Sequence, residues 1–453
     1  MPEVIKIRKG LDINLVGAAD KILVRNFDIG KYAVKPTDFV GLTPRLLVAE
    51  GDSVKCGTPL FCDKNDETVL FPSPVSGTVT AVVRGEKRVL QAVVVTSDGK
   101  RESLAFSTAD PLQLSRTEVV ETMLSGGLWP YLRQRPFGTV ANPRQAPKAI
   151  VISGFDTAPL APDYDLLLHR RGEDFQAGLN ALSRLTDGPT YLCLNPKMNL
   201  SGVFRNSKNV KISYFSGKHP AGNVGTQISR LCPINKGETV WFANPQDVAT
   251  IGHLFNTGRY NPEKIIAFAG QGVKNPRYYH LLAGACIEDI ANEQVQQENM
   301  RFISGNVLTG SNIGHDGYLG FYDNLVSVIP EGDDYEFMGW LAPGLKKLSF
   351  SHTFLSGFFN TLNINKKYAV NTNLHGGRRA LVQTGKFEQV FPFDIYPMQL
   401  LKACIVGDIE QMEALGIYEV EPEDFALCEF IDVSKTDIQR IIRDSLETLR
   451  KEC

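Results

Sequence analysis

TVWFANPQDVATIGHLFNTG, residues 239–258, is the stretch that decides the fold class. Its first part, TVWFAN, is rich in β-branched and aromatic residues and is typical of a buried strand. Pro245 then stands where the first turn of a helix tolerates proline, and Gly258 stands where a helix often ends. The stretch therefore predicts a β-strand that runs directly into a helix.

The same alternation extends toward the N-terminus. KAIVIS (148–153), TYLCLN (190–195) and VKISYF (210–215) predict buried strands, and DFQAGLNALSRL (174–185) predicts an amphipathic helix. Alternating strands and helices are typical of a layered α/β domain with a largely parallel sheet. We assign residues 109–260 to such a Rossmann-like domain.

Residues 1–108 predict an all-β unit, because short β-rich runs alternate there with Gly and Pro turns. The turns EGDSVKCG (50–57) and SPVSGTV (73–79) resemble the two halves of a lipoyl or biotinyl carrier domain. A carrier displays a lysine midway between those turns, where this chain has Asp66 or Glu67, and Lys64 is displaced. We expect a barrel-sandwich domain without a modified lysine.

The rest of the chain predicts two further units. In residues 261–334, the strands KIIAFAG and RFISGNVLTG flank a predicted helix, LLAGACIEDIA, which indicates a small β-grasp-like, SLBB-like α+β domain. Residues 335–453 combine an aromatic-rich stretch with two predicted helices, MQLLKACIVGDIEQMEALG and DIQRIIRDSLETLRK. We interpret them as a docking segment and a C-terminal helical domain.

Length and composition exclude several classes of protein. At about 150 residues a domain, 453 residues predict about three domains. Forty-eight Lys and Arg against 50 Asp and Glu leave a net charge of −2, so we expect no nucleic-acid partner. No apolar run reaches the ~20 residues that cross a bilayer, and no secretory signal is evident, so we expect a cytoplasmic chain.

Cysteine and histidine spacing predicts no metal site. None of the eight cysteines forms a C-x-x-C pair, and we expect most of them to be buried apolar residues. The seven histidines show no H-x-x-x-H or H-E-x-x-H spacing, and no G-x-S-x-G nucleophile elbow occurs.

Two glycine-rich loops lack what nucleotide binding requires. In the loop that begins at Gly270 and Gly272, Asn275 replaces the third glycine of a dinucleotide fingerprint. The loop from Gly305 to Gly310 has the Walker spacing without its lysine. Neither loop is expected to bind a nucleotide.

GLWPYLRQRPFG, residues 127–138, is the candidate ligand site. Trp129, Tyr131 and Phe137 offer flat apolar surface, and Arg133 and Arg135 offer fixed hydrogen-bond donors. This combination suits a planar ligand with carbonyl oxygens, such as a quinone. The alternative is an aromatic core patch with solvated arginines.

Two further segments have both a structural and a functional interpretation. In KHPAGNVGT (218–226), His219 and Gly222 either hold an anion or a carbonyl oxygen, or simply form a strand-to-helix turn. The stretch 335–370 is either core, with Phe350, Phe354 and Phe358 on one helix face, or an exposed surface for a partner or a membrane. Its other aromatic and basic residues are Phe337, Trp340, Phe359, Tyr368, Lys346, Lys347, Lys366 and Lys367.

Dispersed motifs, in collinear order over nearly the whole chain, resemble those of the A subunits of sodium-translocating NADH:quinone oxidoreductases. They are GLDINLVG, GDSVK, SPVSGTV, RGEKRVLQ, SGGLWPYLRQRPF, HPAGNVGT, QDVATIGHLFNTG, ISGNVLTG, MGWLAPG, VFPFDIYP, LLKACIVGDIE and EDFALCEF. The chain is similar, more distantly, to the C subunit of the Rnf complex and to the flavin-binding subunit of complex I.

The resemblance implies a six-subunit membrane complex that oxidises NADH, reduces ubiquinone or menaquinone and exports sodium. It places this subunit on the cytoplasmic face of the membrane, docked on the membrane-embedded B subunit, with no tightly bound cofactor and inactive alone. The quinone-binding role attributed to this subunit carries over to Trp129, Tyr131, Arg133, Arg135 and Phe137, and more weakly to His219 and Gly222.

One departure and two alternatives accompany this resemblance. The family pattern near the C-terminus has a pair of cysteines followed by a proline. This chain keeps the first, Cys428, but has Asp432 in place of the second cysteine and Val433 in place of the proline. If the pair has a redox or metal role in the family, this chain cannot share it. One alternative is a flavin- or NADH-binding electron-input subunit, which would be yellow. The other is a biotin or lipoyl carrier modified at Lys64.

Overall fold

The computed structural model describes residues 3–25, 27, 29–198, 201–333, 336–339, 341, 343–345, 347–350, 354–356 and 366–452. The strands in this part of the chain are β1 (Val4–Ile7), β2 (Leu23–Val24), β3 (Lys31–Val34), β4 (Pro44–Leu46), β5 (Ser53–Val54), β6 (Pro59–Asp63), β7 (Leu70–Pro72), β8 (Gly77–Arg84), β9 (Leu90–Ser97), β10 (Arg133–Arg135), β11 (Thr139–Val140), β12 (Ala149–Ser153), β13 (Thr190–Leu194), β14 (Lys211–Gly217), β15 (Val240–Ala243), β16 (Glu263–Ala269), β17 (Arg277–Leu282), β18 (Met300–Ser304), β19 (Ser311–Asn312) and β20 (Leu325–Pro330). The α-helices are α1 (Arg116–Ser125), α2 (Tyr164–Leu167), α3 (Gly172–Ser183), α4 (Gly202–Arg205), α5 (Val224–Leu231), α6 (Pro245–Thr257), α7 (Glu288–Gln294), α8 (Phe387–Val390), α9 (Pro397–Val406), α10 (Ile409–Ala414), α11 (Ala426–Ile431) and α12 (Ile438–Glu452).

The predicted α/β domain is built on a seven-stranded sheet in the order β1-β14-β13-β12-β15-β10-β11. Strands β1, β14, β13, β12 and β15 are parallel, and β10 and β11 add an antiparallel edge. Strands β13 and β15 are buried along their whole length, as continuous apolar strands of parallel sheets are. The prediction of an α/β domain with a largely parallel sheet is confirmed.

Helices α3 and α6 lie side by side at a very short distance. A Cβ added to Gly178 would lie 2.0 Å from the Val248 carbonyl oxygen, and one added to Gly252 would lie 1.8 Å from that of Asp174. Helix α6 begins at Pro245 and ends before Gly258, whose φ of 65° closes the helix in the left-handed conformation, as predicted.

The N-terminal β unit consists of two small sheets, β3-β9-β8-β5 and β4-β6-β7. The two turns that the sequence pairs are hydrogen-bonded to each other, because Gly51 N–H donates to Val79 O (2.8 Å) and Val79 N–H donates to Asp52 O (2.9 Å). Lys64 lies exposed in the turn between β6 and β7. The predicted barrel-sandwich is confirmed, and the absence of a modified lysine stays a prediction.

The third sheet, β19-β18-β20-β16-β17-β2, is mixed and is accompanied by α7. The prediction of a helix over LLAGACIEDIA is wrong at its start, since Leu281 and Leu282 end strand β17 and only the part from Glu288 onward is helical. The first residues of the chain also leave the N-terminal β unit, because β1 joins the large sheet and β2 joins this one. Edge pairing with distant strands has no signal in a local pattern.

The C-terminal part is helical, as predicted, with one difference. The single predicted helix MQLLKACIVGDIEQMEALG is divided into α9 and α10 at Gly407, whose φ is 73°. Helix α12 packs one apolar face into the core.

In the aromatic-rich stretch, Trp340, Lys346, Phe358 and Phe359 lie outside the described residues. Phe337 is exposed and Tyr368 is buried. None of the helices in the described ranges is long and apolar enough to span a bilayer.

Candidate functional site

The segment 127–138 supplies β10, the strand of the large sheet that lies between β15 and the edge strand β11. A short 3-10 turn, Trp129–Tyr131, leads into β10, which pairs antiparallel with β15. Phe137, with φ 81°, and Gly138, with φ 65°, turn the chain back into β11. The sheet pairing directs most of this segment into the protein interior.

Trp129 is a core residue. Its side chain is fully buried, its indole N–H donates to Ala141 O (2.6 Å), and its ring meets that of Trp241 edge-on at 5.5 Å between centroids. The indole is therefore surrounded by the protein itself, and its polar edge is already hydrogen-bonded.

Tyr131 links the segment to a nearby cleft through a second tyrosine. Its hydroxyl is 2.8 Å from that of Tyr260, and its ring lies 4.7 Å from that of Phe321. Burial raises the pKa of Tyr131 well above its usual value, so the hydroxyl stays protonated. Tyr260 lines the cleft described below, whereas Tyr131 does not.

Arg133 is held between two aromatic rings. The centre of its guanidinium lies 4.2 Å from the Tyr322 ring centroid and 4.5 Å from that of Phe242. The cation is thus engaged in two cation–π contacts. The expectation that the arginines of this segment are solvated is wrong for Arg133, which is half-buried, and for Arg135, which is buried.

Arg135 is the centre of a buried ion cluster. Its Nη1 lies 2.6 Å from Asp424, its Nη2 lies 2.6 Å from Glu423, and its Nε lies 3.4 Å from Glu421. Burial raises the pKa of Glu421, and the neighbouring carboxylates raise it further against the opposing effect of Arg135. The guanidinium is thus committed to the C-terminal domain.

The other three candidate residues also contact neighbouring groups of the protein. Phe137 is half-buried with its ring edge-on to Tyr418 at 6.0 Å. His219 is buried with its Nδ1 3.2 Å from Thr157 Oγ1, and desolvation lowers the pKa of His219 to about 4. Gly222 N–H donates to Thr157 Oγ1 (2.9 Å). His219 and Gly222 therefore form a packed strand-to-helix turn.

The structure places the segment 127–138 beside the turn 218–226, with no space for a ligand between them. A Cβ on Gly225, in the first turn of α5, would lie 2.5 Å from Arg135 Nη1 and from Asp424 Oδ1. The C-terminal residues 421–424 thus fill the junction between the segment 127–138 and the turn 218–226. None of the seven predicted site residues lines the main candidate cavity.

That cavity is a cleft of about 750 Å³ between the N-terminal β unit, the α/β domain and the third sheet. Its apolar lining includes Leu23, Phe27, Ile29, Leu281 and Leu282. Its size is in the range of small-molecule sites.

The polar lining of the cleft is mostly cationic. Among the described residues, five arginines, one lysine and three histidines contribute to it: Arg25, Arg101, Arg170, Arg171, Arg259, Lys264, His169, His253 and His280. The local signal that could have indicated this site is the run His169-Arg170-Arg171. The other cations are dispersed along the chain, and sequence reasoning missed them.

Part of this charge is balanced. His253 Nδ1 lies 2.8 Å from Asp174, His280 Nε2 lies 3.5 Å from Glu263, and Lys264 Nζ lies 4.0 Å from Asp247. The hydrogen bond from His280 is the main reason that the pKa of Glu263 falls to about 2. Glu263 is the one acidic residue among the described residues that line the cleft.

The thiols and metal ligands of the described residues give no further site. The seven described cysteines are all buried, as predicted. Within the described ranges, no three His, Cys, Asp or Glu side chains are grouped so that they could hold a metal ion.

Comparison with protein families matches three parts of the chain. The family model described as "NqrA N-terminal barrel-sandwich hybrid domain" matches residues 5–98, "NqrA second alpha/beta domain" matches residues 114–260, and "NQRA C-terminal domain" matches residues 265–314. These matches agree with the barrel-sandwich and α/β parts of the fold.

Full-length relatives share one name, that of the A subunit of the Na(+)-translocating NADH-quinone reductase. The protein from Alcanivorax borkumensis is 39% identical over 99% of this chain and 100% of its own length. The protein from Neisseria meningitidis serogroup B is 40% identical over 99% and 100%, and that from Rhodopirellula baltica is 38% identical over 99% and 98%. The chain belongs to the family of the A subunits of Na(+)-translocating NADH-quinone reductases.

Proposed function

We propose that the chain is the peripheral A subunit, on the cytoplasmic face of the membrane, of a complex that oxidises NADH, reduces ubiquinone or menaquinone and exports sodium. The name shared by the relatives supports the reaction. In this proposal the subunit has no tightly bound cofactor, is inactive alone and docks on the membrane-embedded B subunit. Its Rossmann-like and SLBB-like domains form the scaffold.

The proposed contribution of this subunit to the reaction is a quinone site in the cleft. Residues 127–138 supply the wrong environment, because Trp129, Arg133 and Arg135 are already engaged by other side chains and backbone groups. The cleft, in contrast, combines apolar side chains with hydrogen-bond donors in about 750 Å³. This combination is the observation that carries the proposal.

The chemistry of a quinone matches such a lining. Its ring packs on apolar side chains such as Leu23, Phe27 and Leu282, and its carbonyl oxygens accept hydrogen bonds from arginine and histidine N–H groups. Reduction to the quinol takes up two electrons and two protons, and His253 and His280 place imidazole nitrogens in the lining, each beside a carboxylate.

Photolabelling locates the site directly. The full chain is irradiated with an azido-quinone, digested and analysed by mass spectrometry. We expect labelled peptides from the cleft strands and loops, within residues 23–32, 97–103, 253–265 or 280–282, and we expect excess unmodified short-chain quinone to suppress them. Labelling concentrated in residues 127–138 would instead support the site predicted from sequence.

A matched pair of variants tests whether the labelling reports binding. Leu23 lines the cleft, whereas its neighbour Ile22 is exposed and does not. Replacing Leu23 by Gln should weaken quinone binding by about tenfold, because burying an aliphatic side chain against a ligand contributes roughly 1–2 kcal/mol. Ile22→Gln should bind as the unmodified chain does, and equal effects of the two variants would contradict the proposed site.

A further inference from the structure

Five arginines of the cleft have no ion-pair partner among the described residues. Arg25, Arg101, Arg170, Arg171 and Arg259 line it, and none of them forms an ion pair within the described part of the chain. The one carboxylate of the described lining, on Glu263, is engaged by His280. A concave site lined by cations of one sign concentrates anions.

Arg171 shows that this charge is retained at a cost. It is buried, yet its Nη1 and Nη2 donate only to neutral oxygens, Glu263 O (3.0 Å) and Thr250 Oγ1 (3.1 Å). Its Nε is buried without any hydrogen-bond partner among the described residues. The carboxylates of Asp174, Glu263 and Asp247 act on Arg171 electrostatically without an ion pair, so a direct counter-charge is one that a ligand can supply.

Two of the exposed arginines occupy backbone positions that side chains seldom adopt. Arg101 has φ 56° and Arg170 has φ 63°, in the left-handed region where glycine is usual. They belong to different units of the fold, the N-terminal β unit and the α/β domain, and they face the same cleft. Strained non-glycine residues of this kind concentrate at binding sites.

We infer that the cleft binds the anionic form of a quinone-type ring more tightly than the neutral form. This inference rests on the proposed quinone site and states which redox state of the ring that site favours. In the reaction the neutral quinone gains one electron to give the semiquinone anion, and a second electron with two protons completes the quinol. The electrons come from NADH through the complex.

Preferential binding of the anion changes the driving force of the first electron transfer. If the cleft binds the anion tenfold more tightly than the neutral ring, the one-electron potential of the bound quinone rises by about 59 mV. The same cations also hold the semiquinone against release, because leaving the cleft means losing their charge-assisted hydrogen bonds.

Two matched probes test this preference without any redox reaction. 2-Hydroxy-1,4-naphthoquinone is an anion at neutral pH, and its methyl ether, 2-methoxy-1,4-naphthoquinone, is neutral and of similar size. Binding of each to the full chain is measured by isothermal titration calorimetry at low and at high salt. We expect the ionised probe to bind at least tenfold more tightly, and its advantage to shrink as salt screens the exposed charges.

Three single variants separate the cleft from general surface charge. Arg171→Gln is the obvious change, but its burial makes misfolding a risk, so the exposed Arg101→Gln and Arg259→Gln are the informative ones. Each should weaken binding of the ionised probe severalfold and weaken binding of the neutral probe less. Arg8→Gln is the control, since Arg8 is exposed and does not line the cleft.

The outcomes distinguish the inference from the proposed function. Equal binding of the two probes overturns the inference and leaves the quinone site standing. No saturable binding of either probe overturns the proposed site, and the inference with it. An advantage of the ionised probe that Arg8→Gln reduces as much as Arg259→Gln does also overturns the inference, because the attraction then belongs to the whole surface.

Discussion

Arg135 carries its charge into the interior and has its counter-charges at the other end of the chain. Its partners Glu421, Glu423 and Asp424 lie almost 300 residues away, with 289 separating Arg135 from Asp424. Removing one partner of a buried ion cluster leaves the others desolvated and unpaired, which is more costly than never having placed them there. The side chain therefore ties strand β10 to the C-terminal helices.

We expect Arg135→Met to lower the free energy of unfolding by about 3–5 kcal/mol, because the buried carboxylates of Glu421 and Asp424 and the partly exposed one of Glu423 lose their cation. Urea unfolding of the full chain, followed by circular dichroism, measures this loss. Arg144→Met is the control, since Arg144 pairs with Asp66 at 3.2 Å on the surface and should contribute less than about 1 kcal/mol. Similar losses in both variants would contradict a structural role of the buried cluster.

The loss in Arg135→Met should grow as the pH rises. Burial raises the pKa of Glu421 and Asp424 in the folded protein, so without the arginine the native state keeps protons that the unfolded chain has already released. A raised native pKa of an acid means that stability falls as pH rises from the unfolded pKa through the native one. Unfolding repeated at mildly acidic and neutral pH should give the larger deficit at neutral pH, and a pH-independent deficit would argue against ionisation of these groups.

These residues show why the sequence alone cannot decide whether the segment 127–138 is a ligand site or a core patch. The segment 127–138 has the residue types of a quinone site, and Tyr131, Arg133 and Arg135 do make specific polar or cation–π contacts. Their partners come from β15, from the loops before β16 and β20 and from the C-terminal domain, and no local pattern indicates those pairings. A composition that suits a ligand also suits a well-satisfied core.

At the scale of elements, the contact between α3 and α6 positions the wall of the cleft. Arg171 caps α3 and His253 lies on α6, so the spacing of the two helices sets the spacing of these side chains. The backbones touch because Gly178 and Gly252 have no Cβ, and a Cβ on Gly252 would lie 2.4 Å from Gly178 N.

Gly252→Ala should separate the helices and destabilise the fold. The added Cβ meets backbone atoms that cannot rotate away, and overpacking of this kind costs about 1–3 kcal/mol. We expect a lower thermal unfolding temperature and weaker binding in the cleft. Gly377→Ala is the matched control because nothing lies within 4 Å of its added Cβ, and a fall in unfolding temperature as large as that of Gly252→Ala would contradict the packing argument.

Elements were predictable where periodicity and end signals agreed. Strands β12 to β15 and helices α3 and α6 lie within about two residues of their predicted bounds. Buried apolar runs mark the strands, and Pro245 and Gly258 mark the two ends of α6. The helix prediction failed at the start of LLAGACIEDIA, because its apolar run fits both the end of a strand and a helix. It also failed at Gly407, because a glycine in the left-handed conformation interrupts the helical pattern there.

At the scale of the whole molecule, the cleft forms only where several structural units of the chain meet. Its lining comes from residues near 25, 100, 170, 260 and 280, in three structural units and the segment that precedes them. Each unit alone offers only a few cations of ordinary appearance. The chain's net charge of −2 conceals this local excess, so only the folded arrangement reveals it.

The exposed apolar residues of the stretch 335–370 are candidates for contact with other subunits of the complex. Phe337, Leu341 and Leu345 are 94%, 60% and 49% exposed. Tyr368 of the same stretch is buried and its N–H donates to Asn14 O (2.8 Å), so deleting the stretch would also disturb the fold. Substitution of the exposed side chains is therefore a cleaner test of docking on the membrane-embedded B subunit than deletion.

We expect the triple variant Phe337→Ser, Leu341→Ser, Leu345→Ser to lose association with the membrane-embedded subunits by more than about tenfold. Burying one such side chain at an interface contributes roughly 1.5–3 kcal/mol, so even one true contact among the three exceeds that threshold. Co-purification with a tagged B subunit measures the loss.

The control for this variant removes three exposed apolar residues from the N-terminal β unit, by Leu47→Ser, Val83→Ser and Val89→Ser. Both triple variants take apolar area from the surface without touching the core, so both should keep the unfolding temperature of the unmodified chain. If the two co-purify equally well, the stretch does not contact the membrane-embedded subunits, and the proposed quinone site must be reached from another face. If only the variant of Phe337, Leu341 and Leu345 fails to co-purify, the docking surface and the cleft lie in different parts of the subunit, because none of these three residues lines the cleft.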